Sequence, residues 1–503
     1  MRKKRAINNI FSSLLLQIII IICGFIVPKL IISKYGSSVN GLIVSITQFL
    51  GYITLLEAGF GSVIKATLYK PIASKNKNEI ERILKSSQKI FRKISYVFII
   101  YILILCVILP AILNDNFDIA FTISLIIIIS ISNIFEYYFG MTYKLYLNAS
   151  QNNYIISLMQ IFTTILNTIM IVILVKLDAS IQLVKLVSCL IFILRPIVQN
   201  IYVKKKYNIN LKNVDSCYEI KQKWDAFAQH ISYVIHNNTD IIILTLFSNL
   251  KEVSVYSIYY LILNCIRNII CNTFVNSVDS IFGDMIAKKE KQILNNSFSM
   301  YESIYLTIST VVFICTFILI VPFVKVYTNE ITDANYIRYT FASIIVIAEF
   351  IFVIKQLYYG LVKVSGHFKQ TKKGAIIEAL TNIIISFILV FNYGIIGVAI
   401  GTLVSMVIRT IEIIIYTSKN ILKRKISYSI KRLIIIIFEF SLILIINSFI
   451  NIDINSYVSW LLKAIIIFLI SSVIVIFINN IFYKENFKKA IYEIKNMIKK
   501  LNF

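Results

Sequence analysis

Long apolar runs alternate with short basic ones along almost the whole chain. SLLLQIIIIICGFIVPKLII near the start and KRLIIIIFEFSLILIINSFI near the end show neither a period of two nor a polar stripe at helical spacing. Runs of this kind match the ~30 Å hydrocarbon layer, which a helix crosses in about twenty residues. They predict spans at 10–32, 39–63, 94–113, 119–140, 153–175, 181–203, 226–248, 253–277, 301–324, 338–360, 374–392, 395–417, 433–450 and 457–482. The expected fold is therefore an all-α polytopic membrane protein of about 14 transmembrane helices. The first span follows MRKKR, but its apolar run is too long for a signal peptide, and we read it as an uncleaved anchor.

The polar segments decide orientation. Basic stretches at the N-terminus, 64–93, 203–224, 284–300, 361–373, 418–432 and beyond Tyr483 all fall on one side of the predicted helices, and the opposite side is poor in Lys and Arg. By the positive-inside rule both termini are expected to be cytoplasmic, in the cytoplasmic membrane. The net charge of +26 is thus read as topology and as contact with anionic membrane lipids, with no nucleic-acid partner. The segment 64–93 reads as an amphipathic cytoplasmic helix, with Ile80, Ile83, Leu84 and Ile90 toward headgroups and Lys77, Lys85 and Lys89 toward water.

Composition agrees: 58% of the 503 residues are hydrophobic and only 15% charged, with a mean hydropathy of +0.79, against about a quarter charged in a soluble domain. Seven cysteines contain no Cys-x-x-Cys and three histidines make no metal-binding spacing, so neither a metal site nor a disulfide is expected. The longest external segment, KVYTNEITDANYIR at 325–338, holds no paired acids in a recognisable arrangement and no histidine. Cytoplasmic loops lack glycine-rich phosphate cradles. No catalytic residue or cofactor is expected, which makes a membrane glycosyltransferase or polymerase the weaker alternative.

A faint internal repeat organises the chain. LIISKYGSSVNGLIVSI (30–46) aligns with LTLFSNLKEVSVYSIYY (244–260) at an offset of 214, and the same offset lays Arg195 on Arg409. LNTIMIVILV (166–175) falls on TNIIISFILV at 215. The expected domains are a six-helix lobe at 1–203, a cytoplasmic linker at 204–225, a second six-helix lobe at 226–417, two added helices within 418–482 and a basic tail at 483–503.

Taken with this arrangement, three segments carry a family resemblance: GFIVPKLIISKYGSSVNGLIVSITQFLGYITLLEAGFGSVIKATLYKP, YVIHNNTDIIILTLFSNLKEVSVYSIY and GHFKQTKKGAIIEALTNIIISFILVFNYGIIGVAIGTLVSMVIR. The chain resembles the O-antigen- and capsule-type polysaccharide repeat-unit flippases of the multidrug/oligosaccharidyl-lipid/polysaccharide exporter superfamily, over nearly its whole length. The resemblance implies translocation of an undecaprenyl-diphosphate-linked oligosaccharide to the outer leaflet by alternating access, with a polysaccharide polymerase and glycosyltransferases as further partners. Drug exporters of that superfamily carry a coupling acid in the first helix, where this chain has Gln17, so cation-coupled drug export is the alternative within transport. Coupling to H+ or Na+ stays open.

Ionisable and amide groups at membrane depth are the candidate substrate contacts, because a charge there is costly unless function or pairing retains it. Arg267, among Asn264, Asn268 and Asn272, is the first candidate for the diphosphate, lining a cavity or pairing with Asp240 or Glu349. Arg195, Lys355 and Arg409 are second candidates, and Arg409 also stands three residues from Glu412. The run His236, Asn237, Asn238, Thr239 and Asp240 lines a cavity or breaks span seven, with Asn237 and Asn238 offered to sugars. Glu57, beside Gly59 and Gly61, is either a site residue or a partner for Arg195. Glu136 and Glu349 occupy corresponding places in the two lobes, while Lys355, six residues past Glu349, lies about 240° round the helix from it. Glu378 and Glu439 are expected near enough to the surface to be solvated.

Reporter fusions after Lys75, Lys212 and Lys425 should therefore read cytoplasmic, and fusions after Asp115 and Asp333 external. A reproducible reversal at any one of these points breaks the fourteen-span map.

Overall fold

The computed structural model describes residues 2–57, 60–113, 117–211, 214, 227–450 and 452–485, and these contain helices and no strand. A backbone surrounded by hydrocarbon must satisfy its own N–H and C=O groups, and the helix does so within one segment. Helices stand at all fourteen expected spans. Twelve are long and apolar enough to cross a membrane by length and composition, which makes this a multi-pass membrane protein. The other two, Phe227–Phe247 and Ser427–Ser448, are diluted by the 236–240 polar run and by Lys431, Arg432 and Glu439. The expected linker at 204–225 and tail at 483–503 lie mostly outside the described residues.

The chain forms two compact units, Met1–Ser254 and Val255–Phe503. The first contains α1 (Arg2–Tyr35), α2 (Ser37–Gly51), α3 (Ile53–Glu57), α4 (Phe60–Ala73), α5 (Lys77–Leu113), α6 (Ile119–Phe135), α7 (Met141–Ala149), α8 (Asn153–Lys176), α9 (Ile181–Tyr207), α10 (Phe227–Phe247) and the first turn of α11 (Leu250–Ile270). Helix α1 runs alongside α8 and is tied at both ends. Asn9 donates to Gln151 O at 3.0 Å and accepts from Tyr154 N–H at 2.8 Å, and Tyr35 donates to Ala179 O at 2.6 Å beside the Lys34–Asp178 ion pair. Helix α10 packs on α2 through Ser45 and Thr245, 2.6 Å apart. A Cβ on Gly41 would lie 1.9 Å from Leu250 O, so only glycine allows the two segments to approach this closely.

Two expectations change here. The 64–93 segment is not a separate surface helix: α5 runs unbroken from Lys77 through span three, and Ile80, Ile83 and Leu84 are buried in the unit's core. Their amphipathic spacing is satisfied by protein, not by headgroups, and Glu81 accepts Asn210 N–H at 2.8 Å on the same buried side. Helix α10 is also continuous through the polar run.

The second unit continues with α12 (Asn276–Ala287), α13 (Lys291–Tyr327), α14 (Tyr339–Val364), α15 (Lys372–Tyr393), α16 (Ile395–Tyr416), α17 (Ser427–Ser448) and α18 (Tyr457–Phe482). Helices α15 and α16 form a tight hairpin. A Cβ on Gly401 would meet Ser386 Oγ at 2.1 Å and its backbone N at 2.7 Å, and Asn382 donates to Thr402 Oγ1 at 2.9 Å across the same seam. Helix α14 packs against α16, while α13 carries α18 through Trp460, whose ring N–H donates to Leu319 O at 3.1 Å. All five prolines lie within helices, where neighbouring helices can support the interrupted hydrogen-bond ladder.

Candidate functional site

In the second unit the charges do not stand apart but join end to end. Arg267 on α11 donates to both carboxylate oxygens of Glu349 on α14, at 3.3 and 3.1 Å, and both side chains are almost fully buried. Its other terminal nitrogen donates to Asn264 Oδ1 at 2.7 Å and Tyr260 Oη at 3.2 Å. One turn along α14, the ring of Phe352 sits 4.9 Å from the Arg267 guanidinium and 4.6 Å from Lys355 Nζ. Lys355 donates to Glu378 on α15 at 2.6 Å, the second oxygen of Glu378 lies 3.2 Å from Arg409 Nε on α16, and Arg409 also pairs with Glu412. Three cations and three carboxylates thus alternate across four helices, with Glu412 alone partly open at 35% side-chain exposure.

The local sequence makes room for this chain. Glu349, Phe352 and Lys355 recur every three residues on α14, so the ring falls between the two charged groups while each charge finds a partner on a different helix. A Cβ on Gly374, in the first turn of α15, would lie 2.1 Å from Glu412 Oε2 and 2.2 Å from Arg409 Nη1. Arg409 also donates to Thr371 O at 3.1 Å, which ties it to the start of α15.

A second buried cluster was not anticipated. Glu302 on α13 is wholly buried, and its carboxylate is gripped by Arg424 at 2.6 Å, Arg432 at 3.2 Å and the Tyr358 hydroxyl. In sequence Glu302 opens an apolar run and looks like a boundary residue; its two arginine partners lie over a hundred positions away, and Tyr358 lies 56 away. Glu378 and Glu439, expected to be solvated, are 4% and 0% exposed. Helical packing covers both, so distance from a span's end was the wrong measure.

The first unit is built differently. Arg195 on α9 donates to the hydroxyls of Thr163 at 2.6 Å and Thr164 at 3.1 Å on α8, and packs 4.3 Å from the Phe192 ring. Among the described residues no carboxylate lies within ion-pair range of it. Of the two alternatives for Glu57, the pair with Arg195 is not formed, because α9 runs along α8 at this level and the threonines come first. Glu57 instead accepts from Tyr137 at 3.2 Å. A Cβ on Gly61 would lie 3.3 Å from the Glu57 carboxylate, and Gly59 lies outside the described residues. Glu136 accepts from Lys144 at 2.7 Å across the π-helical turn Glu136–Gly140. The Arg195–Thr164 and Arg409–Glu378 contacts fall 214 positions apart at both ends, with a hydroxyl in one unit where the other has a carboxylate.

The 236–240 run divides. His236, Thr239 and Asp240 are buried, while Asn237 and Asn238 are half-buried and donate to the carbonyls of Tyr233 and Val234 one turn back, at 2.6 and 2.8 Å. Among the described residues no His, Cys, Asp and Glu group with the geometry of a metal site occurs.

Solved structures show what this fold is similar to. A lipid II flippase, MurJ, in an inward closed conformation matches with a TM-score of 0.65 at 16% identity, covering 95% of this chain and 99% of that one. An inward-facing multidrug resistance MATE family transporter of the MOP superfamily matches at 0.60 with 11% identity, over 78% of this chain and 94% of its own. A MATE structure in a bent conformation gives 0.53 and 11%, over 82% and 96%. No family model matches the sequence, and no curated protein does.

Removing one partner of a buried ion pair strands a charge, at about 3–5 kcal/mol. Glu378→Gln should therefore lower the thermal midpoint of the purified protein well below that of Glu412→Gln, whose carboxylate is partly solvated. Equal midpoints would show that the chain does not depend on Glu378.

Proposed function

We propose that this protein is a flippase that carries an undecaprenyl-diphosphate-linked oligosaccharide repeat unit across the cytoplasmic membrane by alternating access, for surface polysaccharide synthesis. The carrying observation is Arg195: a guanidinium within a membrane-length helix, held by two hydroxyls and an aromatic face, with no carboxylate in ion-pair range among the described residues. A fixed positive charge in such surroundings favours an anion, and the planar guanidinium presents paired donors matched to phosphate oxygens. The fold shared with a lipid II flippase, over nearly the full length of both chains, supports a lipid-linked cargo. The MATE match leaves roughly a fifth of this chain uncovered.

Arg267 would play the complementary part. Its pairing with Glu349 neutralises it in an apolar bundle, and a diphosphate arriving at Arg267 would exchange one anion for another. Lys355 and Arg409 are held more firmly, through the shared Glu378, and would respond to that exchange through Phe352. The half-buried Asn237 and Asn238 would serve the sugars. An inside-negative potential favours outward movement of an uncompensated anion by roughly 2.3 kcal/mol per charge per 100 mV, so coupling to H+ or Na+ need not drive transport.

Deleting the gene should abolish surface polysaccharide and accumulate lipid-linked repeat units. Arg195→Ala and Arg267→Ala should do the same with the lysine variants recovering only part. The pair Arg267→Met with Glu349→Leu separates the two roles, since it removes both buried charges together. It should restore protein abundance without restoring transport. Full transport by the double variant would reduce Arg267 to a structural partner, and drug sensitivity without polysaccharide loss in the deletion would favour the drug exporter.

A further inference from the structure

In the second unit, among the described residues, one buried acid is used by neither charge cluster. Glu439, at the middle of α17, is wholly buried. Its Oε1 accepts a single hydrogen bond, 2.6 Å from Asn479 Nδ2 on α18, and Asn479 also donates to Val475 O at 2.9 Å. Glu439 Oε2 has no partner, and the residue borders a cavity of about 10 Å³, room for a single water-sized sphere, that Thr307, Thr310, Arg432, Asn479 and Tyr483 also line. Thr310 Oγ1 and Tyr483 Oη are likewise buried without partners. None of these three oxygens lies within hydrogen-bond distance of another, so neither hydroxyl donates to the Glu439 carboxyl.

The charges that face this cavity are already committed. Arg432 lies one side of it, but its Nε is 3.2 Å from Glu302 Oε2, its Nη2 donates to Ser299 O at 3.1 Å and Tyr428 Oη at 3.3 Å, and its guanidinium packs 4.2 Å from the Tyr483 ring. Glu302 holds Arg424 as well. A carboxylate with one neutral donor and no cation of its own is strongly disfavoured in an apolar bundle, and such a group becomes neutral instead. A metal ion is the poorer solution, because three oxygens are too few for a hard cation and the Arg432 guanidinium borders the same space.

We propose that Glu439 is a proton-binding site. With α13, α17 and α18 packed as they are, its carboxyl is neutral, because as a carboxylate it would be left with the Asn479 amide as its one donor. The way to solvent passes Tyr483 and Tyr428, with Arg432 a fixed charge that carries no proton: the Tyr428 and Tyr483 rings are 6.4 Å apart with the Arg432 guanidinium near both, and Tyr428 opens on a basin of about 590 Å³ lined also by Asn296, Lys425 and Lys431. The proton comes from and returns to water in that basin. Its loss leaves a carboxylate that competes with Glu302 for Arg432, which loosens α17 from α13. This site belongs to the two helices beyond the repeat and does not rest on the identity of the cargo.

Infrared spectroscopy of the full chain in lipid nanodiscs at neutral pH reads the site directly. A protonated-carboxyl C=O band should appear, shift in D2O, vanish in Glu439→Gln and move in Asn479→Leu. Identical protonated-carboxyl absorption in the wild-type protein and Glu439→Gln would overturn the proposal, as an ionised Glu439 bridged to Arg432 would give. Should Glu439→Gln fail to fold, a band unmoved in Asn479→Leu would overturn it equally.

Discussion

A charge enclosed by apolar helices must find its counter-charge or its hydrogen bonds inside the bundle, and the second unit is arranged around that requirement. Arg267, Glu349, Lys355, Glu378, Arg409 and Glu412 alternate in sign across α11, α14, α15 and α16, so no member is left alone. Backbone geometry yields to it: Gly374 removes a side chain where Arg409 and Glu412 meet, and the close α15–α16 seam at Gly401 brings Glu378 within reach of Arg409. A network of this kind is weak evidence for added stability, since hydrophobic replacements can serve as well, while removing one member strands the charge of another.

The first unit satisfies the same requirement less completely. At the positions where the second unit sets Arg409 against Glu378, the first sets Arg195 against Thr164. A hydroxyl solvates a guanidinium without neutralising it. Under the proposed function this difference would give the two units unequal roles toward an anion, one offering a cation held by hydroxyls and the other a cation that must give up a carboxylate.

Much of the architecture was legible because the bilayer imposes its own length. Every expected span is a helix, and the alternative pairing of Arg267 with Glu349 and that of Arg409 with Glu412 are both present. Local spacing explains the second, whereas the first needed only a scarce acid at similar depth. What was not legible depended on packing between distant segments. Glu302 meets Arg424 and Arg432, Glu378 meets Lys355 and Arg409, and nothing in an apolar run marks which helix will cover its ends. The 64–93 stripe was equally ambiguous, since a face that suits headgroups suits a protein core. Glu57 found Tyr137 because the π-helical turn at Glu136–Gly140, invisible in periodicity, carries that ring.

The central claim is that these charges move a diphosphate-linked glycolipid between leaflets. Purified protein in sealed vesicles containing an undecaprenyl-diphosphate oligosaccharide, with sugar exposure followed by a membrane-impermeant lectin, measures this without the rest of the cell. The account predicts that lectin-accessible sugar grows with protein content and that the growth is lost in Arg195→Ala. Exposure at the rate of protein-free vesicles, in the presence of folded protein and an inside-negative potential, would contradict it.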